Sequence, residues 1–298
     1  MTSSLACAIC GSTGTTPIIV KFGELIGRCP NCGLIYADPR IPAASILARY
    51  STEYFWNEYL PANGAKDGVF DLATFDARYA TMLKLIQTSV STPGKMLEVG
   101  TGAGFFLKAA QRAGWQVQGI EISPEAVAFA RDRLGLDVAQ LPAEQLSTLA
   151  GGYDVVVMFE VIEHLFEPRV VLEAVQQMLR PGGALVISTP NFNALSRFAL
   201  GNSWAVLSPG EHLYYFTHKT LAALLKSCGF TRTRFYNNYP GWGVFETMNP
   251  NYTHAPHSLR TRLYFRFVAS IGLFMYREVL AMGRGDTLLL IAHKESVS

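Results

Sequence analysis

Lys95-Met96-Leu97-Glu98-Val99 runs straight into Gly100-Thr101-Gly102-Ala103-Gly104 and then into Phe105-Phe106-Leu107-Lys108-Ala109-Ala110. A short apolar run, a glycine-rich turn and an apolar-periodic segment spell buried strand, tight loop and helix. This is the unit with which open α/β sheets hold nucleotide-like ligands against a helix N-terminus. The glycines are spaced G-x-G-x-G, and Phe105 stands where a dinucleotide fingerprint needs its third glycine. Such a loop lets a ligand approach the backbone but cradles pyrophosphate poorly, which argues against a nicotinamide or flavin oxidoreductase.

Working outward, the alternation continues. Strands are predicted at 116–122, 137–141, 153–159 and 184–188, with helices at 103–113, 124–134 and 168–179. Ser123 is the N-cap and Pro124 the first residue of the second helix, and Arg180-Pro181-Gly182-Gly183 stops the third. A helix at 219–226 ended by Gly229, a strand at 231–236 and a last strand at 287–293 complete the pattern. The fold class is α/β: a Rossmann-like, doubly wound, mostly parallel seven-stranded sheet with helices on both faces. The last strand, after the long segment 237–286, is expected to pair beside the earlier ones rather than extend the regular order.

Cys7-Ala8-Ile9-Cys10 and Cys29-Pro30-Asn31-Cys32 are two C-x2-C pairs separated by 18 residues. That spacing lets two tight turns present four thiolates to one tetrahedral zinc, with no position left open for water. Cys7, Cys10, Cys29 and Cys32 are therefore expected to hold a structural zinc in a ribbon-like module at 1–45, with short strands at 18–22 and 34–36. An aromatic-rich helical cap follows at 46–92, with helices at 45–54 and 72–89. Its Tyr50, Tyr54, Phe55, Trp56 and Tyr59 are candidates for a pocket mouth or for core packing. The sheet domain is assigned to 93–298, with a helical insertion at about 239–285. Within it, 259–282 is apolar, with Arg262, Arg266 and Arg277 expected on one helical face, suited to a membrane surface, a lipid-like substrate, a lid or a dimer seam.

Composition narrows the partners. Lys plus Arg number 25 against 23 Asp plus Glu, leaving +2, too little for a nucleic-acid footprint. The cysteine module offers only Lys21, Arg28 and Arg40 toward such a role. Apolar residues make up 49% and charged ones 16%, the balance of a well-buried globule. The start lacks a basic run followed by an apolar stretch, and no segment offers about 18 uninterrupted apolar residues. A cytoplasmic protein acting on a small molecule is expected.

Three strand ends add chemistry to the glycine loop. Gly119-Ile120-Glu121-Ile122-Ser123 puts a carboxylate 17 residues after Gly104, where its oxygens can accept from ribose hydroxyls. Pro142-Ala143-Glu144 brings a backbone amide and a carboxylate toward an adenine edge. Met158-Phe159-Glu160-Val161-Ile162-Glu163-His164 lies along the same crevice.

Over about 95–191 these stretches resemble class I S-adenosylmethionine-dependent methyltransferases. The matching pieces are 98–104, Glu121, 159–164 and Leu179-Arg180-Pro181-Gly182-Gly183. The resemblance implies S-adenosylmethionine as cofactor, with Gly100, Gly102 and Gly104 against its methionine portion, Glu98 positioning it and Glu121 holding ribose. Phe159 stands near the sulfonium, and Ile122, Ala143, Glu144 and Glu160 complete the donor site. Thr101, which stands where many members carry Cys or Ser, is expected to contribute to the same donor site.

More narrowly, the chain is similar to ubiquinone-biosynthesis O-methyltransferases and to small-molecule methyltransferases with an N-terminal four-cysteine module, sugar C-methyltransferases among them. Glu211-His212-Leu213-Tyr214-Tyr215-Phe216 resembles the segment that carries an active-site Glu-His pair in the latter. Methyl transfer to a hydroxyl or an acidic carbon needs a proton acceptor, and a histidine suits that task. His212 beside Glu211 is the first candidate and His164 beside Glu163 the second. The alternatives are a sugar-nucleotide C-methyltransferase and a non-catalytic S-adenosylmethionine-binding regulatory module.

Overall fold

The computed structural model describes residues 6–38, 51–90, 92–237 and 259–295. Its larger sheet contains β4 (Lys95–Val99), β5 (Gln116–Glu121), β6 (Val138–Gln140), β7 (Tyr153–Phe159), β8 (Leu179–Pro190), β10 (Arg232–Phe235) and β11 (Thr287–His293). The strand order is β10-β11-β8-β7-β4-β5-β6. Neighbours from β8 to β6 run parallel, while β11 inserts antiparallel between β8 and β10. The expected Rossmann-like sheet and its irregular last strand are both present.

Alternation along the strands sorts the core. Leu97, Val99, Val156, Met158, Leu185 and Ile187 face one side, against α4 (Pro168–Met178) and α6 (His218–Ser227). Met96, Val155, Val157 and Val186 face the other, against α1 (Leu72–Gln87) and α2 (Phe105–Arg112). Helix α3 (Pro124–Leu134) packs at the β6 edge, where its apolar face meets Val138. All these strand residues are fully buried, each stabilising the fold by about 1.5–3 kcal/mol through loss of apolar surface from water. The central strands β7 and β11 are buried on both faces, which is why they read as continuous apolar runs.

Several boundaries follow local chemistry. Ser123 accepts from Ala126 N and Gly135 closes α3 in the left-handed region (φ 63°). Thr217 and Thr220 cap α6 reciprocally. Strand β8 extends beyond its predicted ends at 184 and 188, held by β7 on one side and β11 on the other. In the cap, Thr52–Tyr54, Phe55–Tyr59 and Leu60–Ala62 form one helical run whose middle turn is π-wound. The rest of the predicted 45–54 helix, and 239–258 of the insertion, lie outside the described residues.

A second sheet of four strands joins β1 (Thr16–Lys21), β2 (Glu24–Arg28), β3 (Ile35–Ala37) and β9 (Tyr214–Tyr215), all antiparallel. Strand β9 belongs to the segment after β8, so the sheet crosses the boundary expected at residue 45. Two tyrosines carry no strand period of their own. They become a strand because β3 offers an open edge, which Ala37 N extends by donating to Leu213 O (3.0 Å). Arg169 of α4 adds a second tie, donating to the carbonyls of Ala8 (3.0 Å) and Ile9 (2.8 Å).

Past the short helix α5 (Leu195–Leu200), the described part of the insertion forms α7 (Leu259–Phe274) and α8 (Tyr276–Ala281). The break falls at Met275, whose ψ of 21° leaves the helical region. Arg266 and Arg277 therefore sit on different helices rather than on the one face expected. Among the described residues no helix is long and apolar enough to cross a membrane.

Candidate functional site

Parallel strands present their C-terminal ends along one crevice, and the glycine loop between β4 and α2 lies at its centre. Gly100, Gly102 and Gly104 all have positive φ (73°, 54° and 87°), which favours glycine at each position. A Cβ on Gly100 would stand 2.5 Å from Val161, and one on Gly104 would stand 2.7 Å from Leu136. The loop is thus wedged between the chain after β7 and the end of α3. Thr101 turns its hydroxyl beneath the loop, donating to the carbonyls of Glu98 (3.3 Å) and Ile120 (3.2 Å), so its side chain braces the loop.

Glu121 is buried and its carboxylate is anchored. Oε2 accepts from Gly102 N (2.8 Å), and Oε1 accepts from Ile122 N (2.8 Å) and Ser123 N (2.9 Å). Three of its four lone-pair positions are occupied, leaving one on Oε2 for a ligand hydroxyl. Burial raises its pKa against these three amides. Glu98 lies deeper. Burial and the neighbouring Glu121 hold its pKa well above the carboxylate range, and its Oε2 has no hydrogen-bond partner. An unpaired buried oxygen next to a backbone cradle suits a ligand that brings a donor or a positive charge.

Tyr59, from the π-wound turn, reaches over this loop. Its hydroxyl accepts from Ala103 N (3.3 Å), its ring stacks on Phe55 (5.6 Å between centroids), and a Cβ on Gly102 would meet the hydroxyl at 1.9 Å. Among the cap aromatics considered from the sequence, Tyr59 thus has a hydrogen bond to the glycine loop, and Tyr50 lies outside the described residues.

The opposite wall begins where β7 ends. Glu160 adopts φ 53° and accepts from Ser188 Oγ (2.8 Å). Glu163 is buried, accepts from Thr189 Oγ1 (2.9 Å), and keeps Oε1 without a hydrogen-bond partner, 3.9 Å from His164 Nε2. Burial raises the pKa of both carboxyls, and Glu163 raises that of Glu160 further. His164 Nδ1 faces Glu211 O at 2.9 Å and His212 Nδ1 faces Val206 O at 2.8 Å. A carbonyl only accepts, so each Nδ1 carries the proton and each Nε2 a free lone pair. The two rings meet edge to face, 4.8 Å apart. Burial depresses both imidazoles, His212 to about 3, with His164 adding to that effect. One ligand-type atom from each of Glu163, His164 and His212 lies within 4.8 Å of the others, a set able to take a proton or a divalent cation.

The methyltransferase-domain family model matches residues 74–234, more than half of the chain. This chain belongs to the methyltransferase-domain family. Among curated proteins it is similar to the ubiquinone biosynthesis O-methyltransferase of Cronobacter sakazakii, 38% identical over 108 residues, covering 34% of this chain and 44% of that protein. The enzyme of the same name from Xanthomonas campestris is 33% identical over 163 residues, covering 49% and 66%. The chain thus spans about half to two thirds of the length of the curated relatives it matches. Its fold resembles an S-adenosylmethionine-dependent methyltransferase from Archaeoglobus fulgidus (TM-score 0.52, 19% identity, 80% of this chain and 100% of that one). It also resembles the 1,6-didemethyltoxoflavin-N1-methyltransferase of Burkholderia thailandensis (TM-score 0.51, 16% identity, 94% and 99%).

Other residues singled out in this methyltransferase-domain chain are placed as follows. Phe159 packs edge-on against Phe106 of α2 (4.8 Å) at the floor of the crevice. Ala143 and Glu144 start a 3-10 turn after β6, and Glu144 Oε1 accepts from Phe166 N (3.1 Å), binding two crevice loops together. Glu211 contributes its backbone carbonyl to His164. Glu163, considered in the sequence only as a neighbour of His164, carries an unpaired oxygen at the centre of the cluster. The E-x-x-E-H spacing from Glu160 to His164 was its signal.

The four cysteine Sγ atoms lie within 4.8 Å of one another, with Cys7–Cys32 at 3.4 Å and Cys10–Cys29 at 3.5 Å. A tetrahedron with metal–sulfur bonds of 2.3 Å has edges of about 3.8 Å, so the set fits a zinc ion. Each knuckle is closed by a glycine at positive φ, Gly11 N donating to Cys7 O and Gly33 N to Cys29 O. Burial opposes ionisation of Cys29, but Ser12 and the amides of Cys32 and Asn31 outweigh it and bring its pKa down to about 6.

Proposed function

We propose that the chain is an S-adenosylmethionine-dependent methyltransferase acting on a hydroxyl of a small molecule, and that His164 accepts the hydroxyl proton. The observation that carries this reading is the convergence of two free imidazole Nε2 lone pairs and the unpaired Glu163 oxygen on one wall, facing a glycine loop with an anchored ribose acid on the other. The donor supplies a methyl group on a sulfonium. Gly100, Gly102 and Gly104 let its methionine portion lie against the backbone, Glu98 offers a buried oxygen to its ammonium, and Glu121 Oε2 accepts from ribose. His164 is the better base because the Glu211 carbonyl at its Nδ1 and the charge of Glu160 favour its imidazolium against burial, whereas His212 is held at about 3. His212 Nε2, which is also only an acceptor, then orients the substrate through a second, neighbouring hydroxyl. The named relatives are ubiquinone biosynthesis O-methyltransferases, which supports oxygen over carbon and a phenol-like acceptor. Cys7, Cys10, Cys29 and Cys32 hold a structural zinc in this reading.

The test is mass spectrometry of reactions with S-adenosylmethionine and simple catechols, quinols and nucleotide sugars. An O-methylated phenol supports the reading. Binding of S-adenosylhomocysteine without methylation of any acceptor points instead to a regulatory module. The three ligand-type atoms within 4.8 Å support a second reading, in which a divalent cation holds the acceptor oxygen. Manganese or magnesium restoring turnover to chelator-treated protein of unchanged Tm would select it, and the proton reading predicts no such dependence.

A further inference from the structure

Helix α7 exposes a face that a soluble monomer ordinarily covers. At 100° per residue, Leu259, Leu263, Phe267 and Phe274 fall within an arc of about 80°. They are 72%, 57%, 65% and 90% exposed, an apolar stripe interrupted by Ser270, which is exposed on the same arc and turns its hydroxyl back to Arg266 O (2.8 Å). Arg260 lies about 20° beyond one edge of the stripe and Arg266 about 20° beyond the other, and both are exposed. The sequence from 259 to 277 contains no Asp or Glu.

The surroundings extend the pattern. Tyr264 Oη donates to Ala199 O (3.1 Å), tying α7 to α5, whose Phe198 is 56% exposed. Over the Phe198 ring stand the guanidiniums of Arg197 (4.2 Å) and Arg284 (5.3 Å). Arginine stems cover apolar surface while their heads seek anions.

We propose that α7 lies flat on an anionic phospholipid bilayer, with Leu259, Leu263, Phe267 and Phe274 among the acyl chains and Arg260 and Arg266 at the phosphates. At 16 residues the helix is about 24 Å long, short of the roughly 30 Å hydrocarbon core, so it rests in the interface rather than spanning it. Charge decides against a second copy as the occupant. Two stripes each bordered by arginines on both sides and lacking acids would set like charges together, whereas an anionic leaflet neutralises them. Strand β11 begins at Thr287, paired with Pro190 at the crevice end of β8, and α8 leads into it, so the bilayer would meet the protein at the end where the acceptor enters.

Co-sedimentation of the full chain with vesicles tests this, comparing pure phosphatidylcholine with a mixture of about one quarter phosphatidylglycerol. The wild-type protein is expected to sediment with the mixed vesicles, to stay in solution with the neutral ones, and to be released as salt rises. Leu263→Glu/Phe267→Glu and, separately, Arg260→Glu/Arg266→Glu are each expected to weaken binding at least tenfold, with unchanged far-UV circular dichroism and unchanged S-adenosylhomocysteine affinity showing that the fold is intact. Failure to sediment, equal binding to neutral vesicles, or binding indifferent to either folded double variant overturns the proposal. So does a wild-type dimer in light scattering that Leu263→Glu/Phe267→Glu converts to a monomer.

Discussion

On the proposed reading the donor wall of the crevice comes from one continuous stretch, Glu98 to Ser123, whereas the acceptor wall is collected from three places. Glu163 and His164 follow β7, Thr189 lies just before β8 ends at Pro190, and His212 precedes β9, which is itself a strand only by virtue of β3. The donor wall is stiff because its own amides hold its carboxylate: Gly102, Ile122 and Ser123 all donate to Glu121. The acceptor wall is held because the Glu211 carbonyl, 47 residues on, fixes His164, the nearby Val206 carbonyl fixes His212, and the cysteine module props the chain that carries His212. A local wall and a borrowed one should respond differently to damage.

The sharpest break is expected at Glu121. Glu121→Ala should weaken S-adenosylhomocysteine binding at least 100-fold by calorimetric titration, since it removes the ribose acceptor and strands three amides, each charged hydrogen bond being worth about 1.5–3 kcal/mol. On the other wall, His164→Ala should lower kcat by about 100-fold or more, the usual contribution of a positioned base, while donor affinity stays within about threefold. Equal loss of donor affinity would erase the distinction between the walls.

Damage to the module should travel to the acceptor wall only. Cys29→Ser is expected to abolish zinc content in elemental analysis, to lower Tm, and to reduce kcat through the β3–β9 pairing, again leaving donor affinity near the wild-type value. Turnover unaffected by zinc loss would show that β9 needs no prop. The smallest effect belongs to Thr101→Val, which removes two bonds beneath the loop. About 1 kcal/mol of stability should be lost, read as a Tm decrease of a few degrees, with titrated donor affinity unchanged.

The same contrast explains what the sequence discloses. Strand β4, the glycine loop, α3 with its Ser123 cap, and β7 are set by apolar period and local capping, so their limits are legible within a residue or two. Glu121 was legible because its position after the loop is fixed by one strand-helix-strand unit. Strand β2, α5 and β9 carry no period of their own, and β9 exists only as an edge partner. The sequence marks His164 and His212 individually, but nothing in it states that their rings stand 4.8 Å apart or that Glu163 turns an unpaired oxygen between elements. Thr101 illustrates the reverse: a residue in the middle of the glycine motif, expected at the donor site, whose hydroxyl bonds carbonyls beneath the loop.

The claim on which the whole reading rests is that the donor lies on the Gly100–Gly104 loop with its ribose at Glu121. A crystal structure of the S-adenosylhomocysteine complex measures this directly. The account predicts a ribose oxygen about 2.7 Å from Glu121 Oε2, the length of a charge-assisted O–H···O bond, with the Tyr59 hydroxyl moved off Gly102. A ligand bound elsewhere, with Tyr59 still over the loop and Glu121 bonded only to its three amides, would contradict it.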